Sequence, residues 1–321
     1  MPRYSRLLIA SLIILTTFAV NFYVWRNYRT DIVATTRIEH AHRIRVSHDG
    51  NRVAVAGLGG VEVFRTSDWK SELFVQTKQV SSVAWSEHDE VLLLCTDGSP
   101  ELLLIDSNSG DRLATGDVPA FAIDVCTTPL PGTFLVTAYD YSHFVEPPLG
   151  GVFEVQYISE DEQLPNSLVA PLPAVHVLQV GESVIWSDEF GQAKFLSSNL
   201  AASSVKVITT NVSAMAHHLS SETFALLTDK QIILYDKSAT PIHSVAFQQA
   251  YLGASMVSDT MCLNTAGNRV ALADDRGLYV WLTEEPRTRR ISYVKTSAVG
   301  FLDDHRVVYS DGQNLRVRHV Q

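Results

Sequence analysis

The stretch NRVALADDRGLYVWLTEEP, Asn268 to Pro286, decides how the chain is read. An apolar run, Val270 to Ala273, meets a turn carrying Asp275 and Gly277. A second apolar run then ends on Trp281, and polar residues close the unit. Short Val/Leu/aromatic runs bounded by Asp, Gly and Pro are strand signals, and the tight turn between them makes an antiparallel hairpin. The same layout recurs in NRVAVAGLGGVEVFRTSDW (51–69), EVLLLCTDGSPELLLIDSNSG (90–110) and TFALLTDKQIILYDKSAT (223–240). One further strand precedes each of these units, as in HRIRVS, SSVAWS and VSAMAHH. Another follows, as in ELFVQT, DRLATG, PIHSVAF and RRISYV. After Asp31 no window shows a 3.6-residue period, so the body of the chain reads as all-β.

The turn between the second and third strands acts as a ruler. Asp97, Asp140, Asp188, Asp229, Asp275 and Asp311 occupy it, at spacings of 43, 48, 41, 46 and 36 residues. A first copy lacks the Asp and has Leu58-Gly59-Gly60 instead. Seven units of about 40 residues and four strands each predict a seven-bladed β-propeller of antiparallel four-stranded blades. Six or eight blades are the alternative counts.

At these residues the chain resembles the WD40-like propeller family. Trp281 stands where the family has the Trp of its Trp-Asp pair, with Leu282 in place of the Asp. Asp106 and Asp236 keep the Asp and replace the Trp. The resemblance covers 33–321 and is degenerate, since no unit carries the full Gly-His to Trp-Asp signature. Only Asp275 and Trp281 trace the family's internal hydrogen-bond network. The resemblance implies a rigid disc that binds proteins, and a structural role for the turn aspartates.

Composition narrows the function. The formal charge is −10, and residues 1–30 contain four arginines and no acid. The remainder therefore holds 21 basic against 35 acidic side chains, a net of −14. That excludes a basic face for nucleic acid and keeps the domain off anionic lipid headgroups. Cys95, Cys126 and Cys262 lie in apolar runs without metal-type spacing and read as small core residues.

Leu7 to Trp25 contains no charge and as a helix would span roughly 28 Å, near the thickness of a bilayer core. Arg3 and Arg6 precede it, Arg26 and Arg29 follow, and Phe22, Tyr23 and Trp25 gather at the far end. Residues 1–30 are thus expected to be an N-terminal signal anchor, a single transmembrane helix, with a cleaved signal peptide as the alternative. Both place the propeller, 31–321, outside the cytoplasm, in a periplasm, a lumen or the exterior.

The main candidate site is the third-unit loop TAYDYSHFVEPPLGGV (137–152). Its Tyr139, Asp140, Tyr141, His143, Phe144 and Glu146 are the expected binding residues, because aromatic side chains on a loop over a rigid scaffold suit recognition. No nucleophile elbow, HExxH, P-loop or dinucleotide fingerprint is present, so binding of protein partners is expected rather than catalysis, with no cofactor and no metal. The alternative is a propeller-type hydrolase or lactonase with a metal at the channel mouth held by the rim aspartates. Asn211-Val212-Ser213 forms a glycosylation sequon.

The last unit has only three strands before Gln321. The unassigned strand lies in ATTRIEHA, so residues 34–40 are expected to close the last blade beside 314–320. His42 should then begin the inner strand of the first blade. A turn near Ala41 would separate His40 from His42 and remove the apparent metal pair.

Overall fold

The computed structural model describes residues 11–22, 31–140, 150–158, 163–197, 205–247 and 260–320. Residues 11–22 are helical, and the rest is β-strand and turn. Strands β1 (Ile32–Thr35), β2 (Glu39–Val46), β3 (Arg52–Arg65), β4 (Ser71–Trp85), β5 (Val91–Thr96), β6 (Glu101–Asp106) and β7 (Arg112–Asp117) open the chain. They are followed by β8 (Phe121–Thr127), β9 (Thr133–Tyr139), β10 (Gly150–Gln156), β11 (Asn166–Ala170), β12 (His176–Val180), β13 (Ser183–Ser187), β14 (Ala193–Ser197) and β15 (Lys206–Thr209). The rest are β16 (Val212–His217), β17 (Thr223–Thr228), β18 (Gln231–Asp236), β19 (Pro241–Ala246), β20 (Met261–Leu263), β21 (Arg269–Asp274), β22 (Gly277–Leu282), β23 (Arg289–Ser292), β24 (Ala298–Asp303), β25 (Arg306–Ser310) and β26 (Asn314–His319).

The strands form a β-propeller of antiparallel sheets. Five sheets are four-stranded: β8–β11, β12–β15, β16–β19, β20–β23, and β24–β26 completed by β1. The sixth has six strands in the order β2-β3-β4-β5-β6-β7. Six sheets thus correct the expectation of seven separate four-stranded blades. The first two repeated units share one sheet because two strands run through without a break. β3 holds both arms of a hairpin, since Thr66 N–H donates to the Asn51 carbonyl at 2.8 Å. β4 leaves the outer edge beside β3 and continues to the inner edge beside β5. Its crossing segment, Thr77-Lys78-Gln79, stays extended from one ladder into the next.

Apolar clusters fill the space between neighbouring units rather than a single centre. Trp281, fully buried, sits in a cluster built from β16–β19 and β20–β22. Another cluster joins Ala54, Val61 and Val63 to Val83, Trp85 and Leu92, so the two halves of the six-stranded sheet pack against each other. Strands β2, β4, β8, β12, β16, β20 and β24 stand side by side around the axis, and β24 returns to β2.

Polar staples cross between units on the face formed by the first turns. The Asp89 carboxylate accepts the backbone N–H of His48 at 2.9 Å and that of Asp49 at 3.1 Å. Asp304 does the same for Ala266 and the Asn264 side chain. The repeated Asn-Arg-Val of 51–53 and 268–270 serves this contact, for Arg52 and Arg269 donate to the main-chain carbonyls of Asp89 and Asp304.

The closing strand is β1, and it pairs Ile32 with Arg316, Ala34 with Leu315 and Thr35 with Asn314. The expected span of 34–40 is therefore corrected to 32–35. Residues 36 and 37 are held instead by Glu62, which accepts Thr36 Oγ1 at 2.8 Å, Arg37 N–H at 2.8 Å and Ser71 Oγ at 2.7 Å. No full turn separates the two histidines, because β2 already begins at Glu39. The ladder is irregular between Glu39 and Arg43, and His40 takes a φ of 50°.

Leu12, Ile13, Ile14, Leu15, Phe18, Val20 and Phe22 of the N-terminal helix are all exposed. The expected span Leu7 to Trp25 runs past the described residues at both ends. Among the described residues no helix is long and apolar enough to cross a membrane.

Candidate functional site

The strand-to-strand turns after β5, β9, β13, β17, β21 and β25 carry the ruler aspartates, and the side chains of Asp188, Asp275 and Asp311 work locally. Asp188 accepts the N–H of Phe190 at 3.0 Å and of Gln192 at 2.9 Å, and pairs with Lys194 Nζ at 2.7 Å. Asp311 accepts the N–H of Asn314 and the Arg316 guanidinium. Asp275 pairs with Lys295. Turn chemistry of this kind frees an Asp for no ligand. Among the described residues no three His, Cys, Asp or Glu side chains gather as metal ligands. The arrangement that a channel-mouth metal hydrolase needs is absent from these residues.

The third-unit loop falls largely outside the described residues: Tyr141, His143, Phe144 and Glu146 lie there. Asp140 is half-buried at its base. Tyr139 is corrected from a displayed binding residue to a core residue. It ends β9 only 1% exposed, packed with Ile123 and Val175, and its hydroxyl donates to Glu189. Every residue of β9 is buried, on both faces of the strand, so Tyr139 is covered like its neighbours.

That hydrogen bond ties the loop's base to the fourth unit's turn, which displays a residue that the sequence reading missed. Phe190 is 75% exposed at the tip of the turn that Asp188 braces. Leu172, in the crossing from β11 to β12, is also exposed and belongs to the same sector of this face. Second turns and inter-unit crossings emerge on one side of a propeller. The signal was present in SDEFGQ, a bulky apolar residue set between turn residues.

The inner strands surround a central cavity of about 210 Å³. Asp124 of β8 is its one acidic lining residue, and it faces Arg43 at 3.2 Å, Arg45 at 4.0 Å and His176 at 3.6 Å. Ser82 Oγ also donates to it at 2.7 Å. Burial would raise the Asp124 pKa, but the charges of Arg43, His176 and Arg45 outweigh it and hold the carboxyl well below the usual range. His217 lines the same cavity, and burial brings its pKa down to about 4. Its Nδ1–H donates to the Thr223 carbonyl at 2.9 Å, which leaves Nε2 as a bare acceptor. His218 is turned elsewhere, toward Ser220 and Thr265, so the adjacent pair shares no ligand. Cys126 and Cys262 line the cavity outside any disulfide, and burial pushes the Cys126 pKa up, away from nucleophilic use.

No protein-family model matches the chain, and no curated protein matches it in sequence. Solved structures do match in fold. The β-propeller domain of Cps50 (Swd1) from Myceliophteria thermophila superposes with a TM-score of 0.67 at 13% identity, covering 90% of this chain and 100% of that one. Kuenenia stuttgartiensis hydrazine synthase gives 0.68 at 10% identity, covering 91% and 99%. At such identities the likeness concerns architecture: this chain is similar to these two structures in its fold.

Proposed function

We propose that this protein is a membrane-held β-propeller scaffold that binds a protein partner on the face carrying the second turns, in the sector of the third and fourth units. The observation that carries the reading is Phe190, a large apolar side chain held out on a braced turn beside the base of the 140–149 loop. Exposed aromatics on rigid supports make efficient anchors, because little side-chain entropy is lost on docking. The likeness to the Cps50 (Swd1) propeller domain supports a platform of this shape.

Membrane attachment belongs to the same proposal. It rests on the uncharged stretch Leu7 to Trp25 and on the described part of its helix, whose apolar side chains are exposed on every side. The propeller would then lie outside the cytoplasm. The test is a crosslinking pull-down of the full chain from membranes, compared with Phe190→Ala. The variant should melt like the parent, since an exposed side chain contributes within about 0.5 kcal/mol of stability, and should lose the crosslinked partner. An unchanged set of partners would remove this sector from consideration.

A further inference from the structure

The closing strand fixes the point at which the chain enters the propeller. β1 runs antiparallel to β26, with Thr35 opposite Asn314 and Ile32 opposite Arg316. Asn314 follows the second turn of the seventh unit, and Thr36 N–H donates to the Gln313 carbonyl of that turn at 2.9 Å. Asp31 therefore lies toward the other end of the blade, on the side of the first turns, where Val320 N–H donates to the His305 carbonyl at 2.7 Å. Five residues, Arg26 to Thr30, separate Asp31 from the uncharged stretch that ends at Trp25. Fully extended, they reach roughly 20 Å. The six residues of β26 alone span about 20 Å along the blade. A propeller held by that stretch would spend its whole tether in climbing from one face to the other. The bilayer would therefore meet either the first-turn face or the rim of the seventh unit.

The third unit separates these two postures. Its first turn has the tip Pro129-Leu130-Pro131, all three exposed, with Leu130 at 58%. Thr128 Oγ1 braces the tip, accepting the Leu130 N–H at 3.1 Å and donating to the Thr133 carbonyl at 3.0 Å. Ile158, also exposed, stands beside it, because the Tyr157 N–H donates to the Gly132 carbonyl at 2.8 Å. A single exposed Leu is ordinary. Two aliphatic side chains on turns bonded to each other make an apolar point, whereas the first turns of the first, second and seventh units carry Asp49, Asp89 and Asp303-Asp304. The third unit also lies across the ring from the seventh: the inner strands run β24, β2, β4, β8 one way and β24, β20, β16, β12, β8 the other. A disc tethered at the seventh unit and apolar at the third would lie flat.

We propose that the first-turn face docks on a zwitterionic lipid bilayer, with Leu130 and Ile158 entering the headgroup layer. The proposal rests on the membrane-held reading above, and it turns the Phe190 face away from the bilayer toward its partner. Charge selects the lipid. After residue 30 the chain holds 21 basic against 35 acidic side chains, and Glu160, Asp161 and Glu162 follow Ile158 closely in the sequence. An anionic surface would repel such a face.

The full chain in phosphatidylcholine vesicles tests this in two steps. Flotation with the vesicles through a density gradient at high salt reports the anchor. Posture is read from a dye attached at Pro131→Cys, or at Lys230→Cys on the exposed second turn of the fifth unit, with Cys126 and Cys262 replaced by Ala. Lipid carrying a nitroxide headgroup quenches whichever dye lies near the bilayer. The protein should float, and the dye at 131 should be quenched several-fold more than the dye at 230. Leu130→Ser with Ile158→Ser should lose most of that difference, with flotation and melting temperature as in the parent. Phosphatidylserine added to the vesicles should reduce it as well. Equal quenching at the two positions in floating protein would overturn the docking and leave the anchor standing. So would a double variant quenched like its parent, or a difference that grows with phosphatidylserine. Protein that stays behind when the vesicles float would overturn the anchor, and the docking with it.

Discussion

Asp31 is the residue on which ring closure should depend, and its replacement by Asn gives a quantitative test. The side chain is 8% exposed at the start of the closing strand. It receives Arg316 at 2.8 Å, Arg318 at 2.8 Å and the Tyr309 hydroxyl. Its carbonyl accepts the Val317 N–H at 2.9 Å, which extends the β1–β26 ladder by one bond. Breaking one side of a buried ion pair typically costs about 3–5 kcal/mol, because the surviving charge stays desolvated. Arg316 keeps Asp311 at 3.0 Å, and the Arg318 side chain is 21% exposed and keeps the Ile291 carbonyl. These residual partners place the Asp31→Asn loss at the lower end, about 3 kcal/mol. For a domain of this size that is a fall in Tm of roughly 5 °C.

The same carboxylate ties closure to pH. Burial opposes its ionisation, but the hydrogen bonds from Tyr309 and Arg318, with the Arg318 charge and Arg316, outweigh it and lower the Asp31 pKa. A carboxylate with a depressed folded pKa stabilises the fold above its ordinary value near 4 and loses that contribution as pH falls through the folded value. Circular-dichroism melts of parent and Asp31→Asn from pH 7 downward should therefore show a constant gap to about pH 4 and a shrinking one below. An Asp31→Asn protein melting within a degree of the parent at pH 7 would refute this account of closure.

Two other perturbations probe the fold. Gly60 has φ of +136°, and a Cβ there would lie 2.0 Å from the Val75 carbonyl oxygen; Gly60→Ala should cost at least about 2 kcal/mol, read as a lower urea midpoint with unchanged slope. His217 is held neutral with a pKa of about 4 against an ordinary 6.5, so the unfolded chain gains a proton first as pH falls. The fold should lose stability between pH 6.5 and 4 by this route, and His217→Phe should flatten that part of the melting curve.

The repeat was legible because each unit repeats its chemistry as well as its hydrophobicity. The Asp ruler marks turns that need side-chain acceptors for their own backbone N–H groups, and Asp188 and Asp311 serve in this way. The first unit shows why the ruler fails there: Gly59 and Gly60 make the turn through positive φ, with values of 99° and 136°, so no Asp is needed. Gly277 performs the same close approach in the sixth unit, where a Cβ would meet the Ser292 carbonyl oxygen at 2.1 Å. The fusion of the first two units was not legible, because local patterns carry no statement of where an extended crossing ends. Nor was the burial of Tyr139, since both faces of β9 are covered by neighbouring units and no alternation marks that in the sequence. The Asn-Arg-Val repeat was visible, but its purpose was not; only the fold shows that Arg52 and Arg269 reach the next unit's turn.

Two tasks are divided between different residues of the molecule. Residues that repeat, such as Asp188, Asp311 and the arginines of the Asn-Arg pairs, are consumed by the ring: they satisfy backbone groups or staple one unit to the next. Phe190 is set apart from those residues: it stands 75% exposed on the fourth unit's second turn, and its side chain satisfies no partner within the ring. A repeat that closes with its own hydrogen bonds satisfied does not need an uncovered phenyl group on its face. Such a group leaves apolar surface exposed in the isolated chain, and a partner that covered it would gain from the burial.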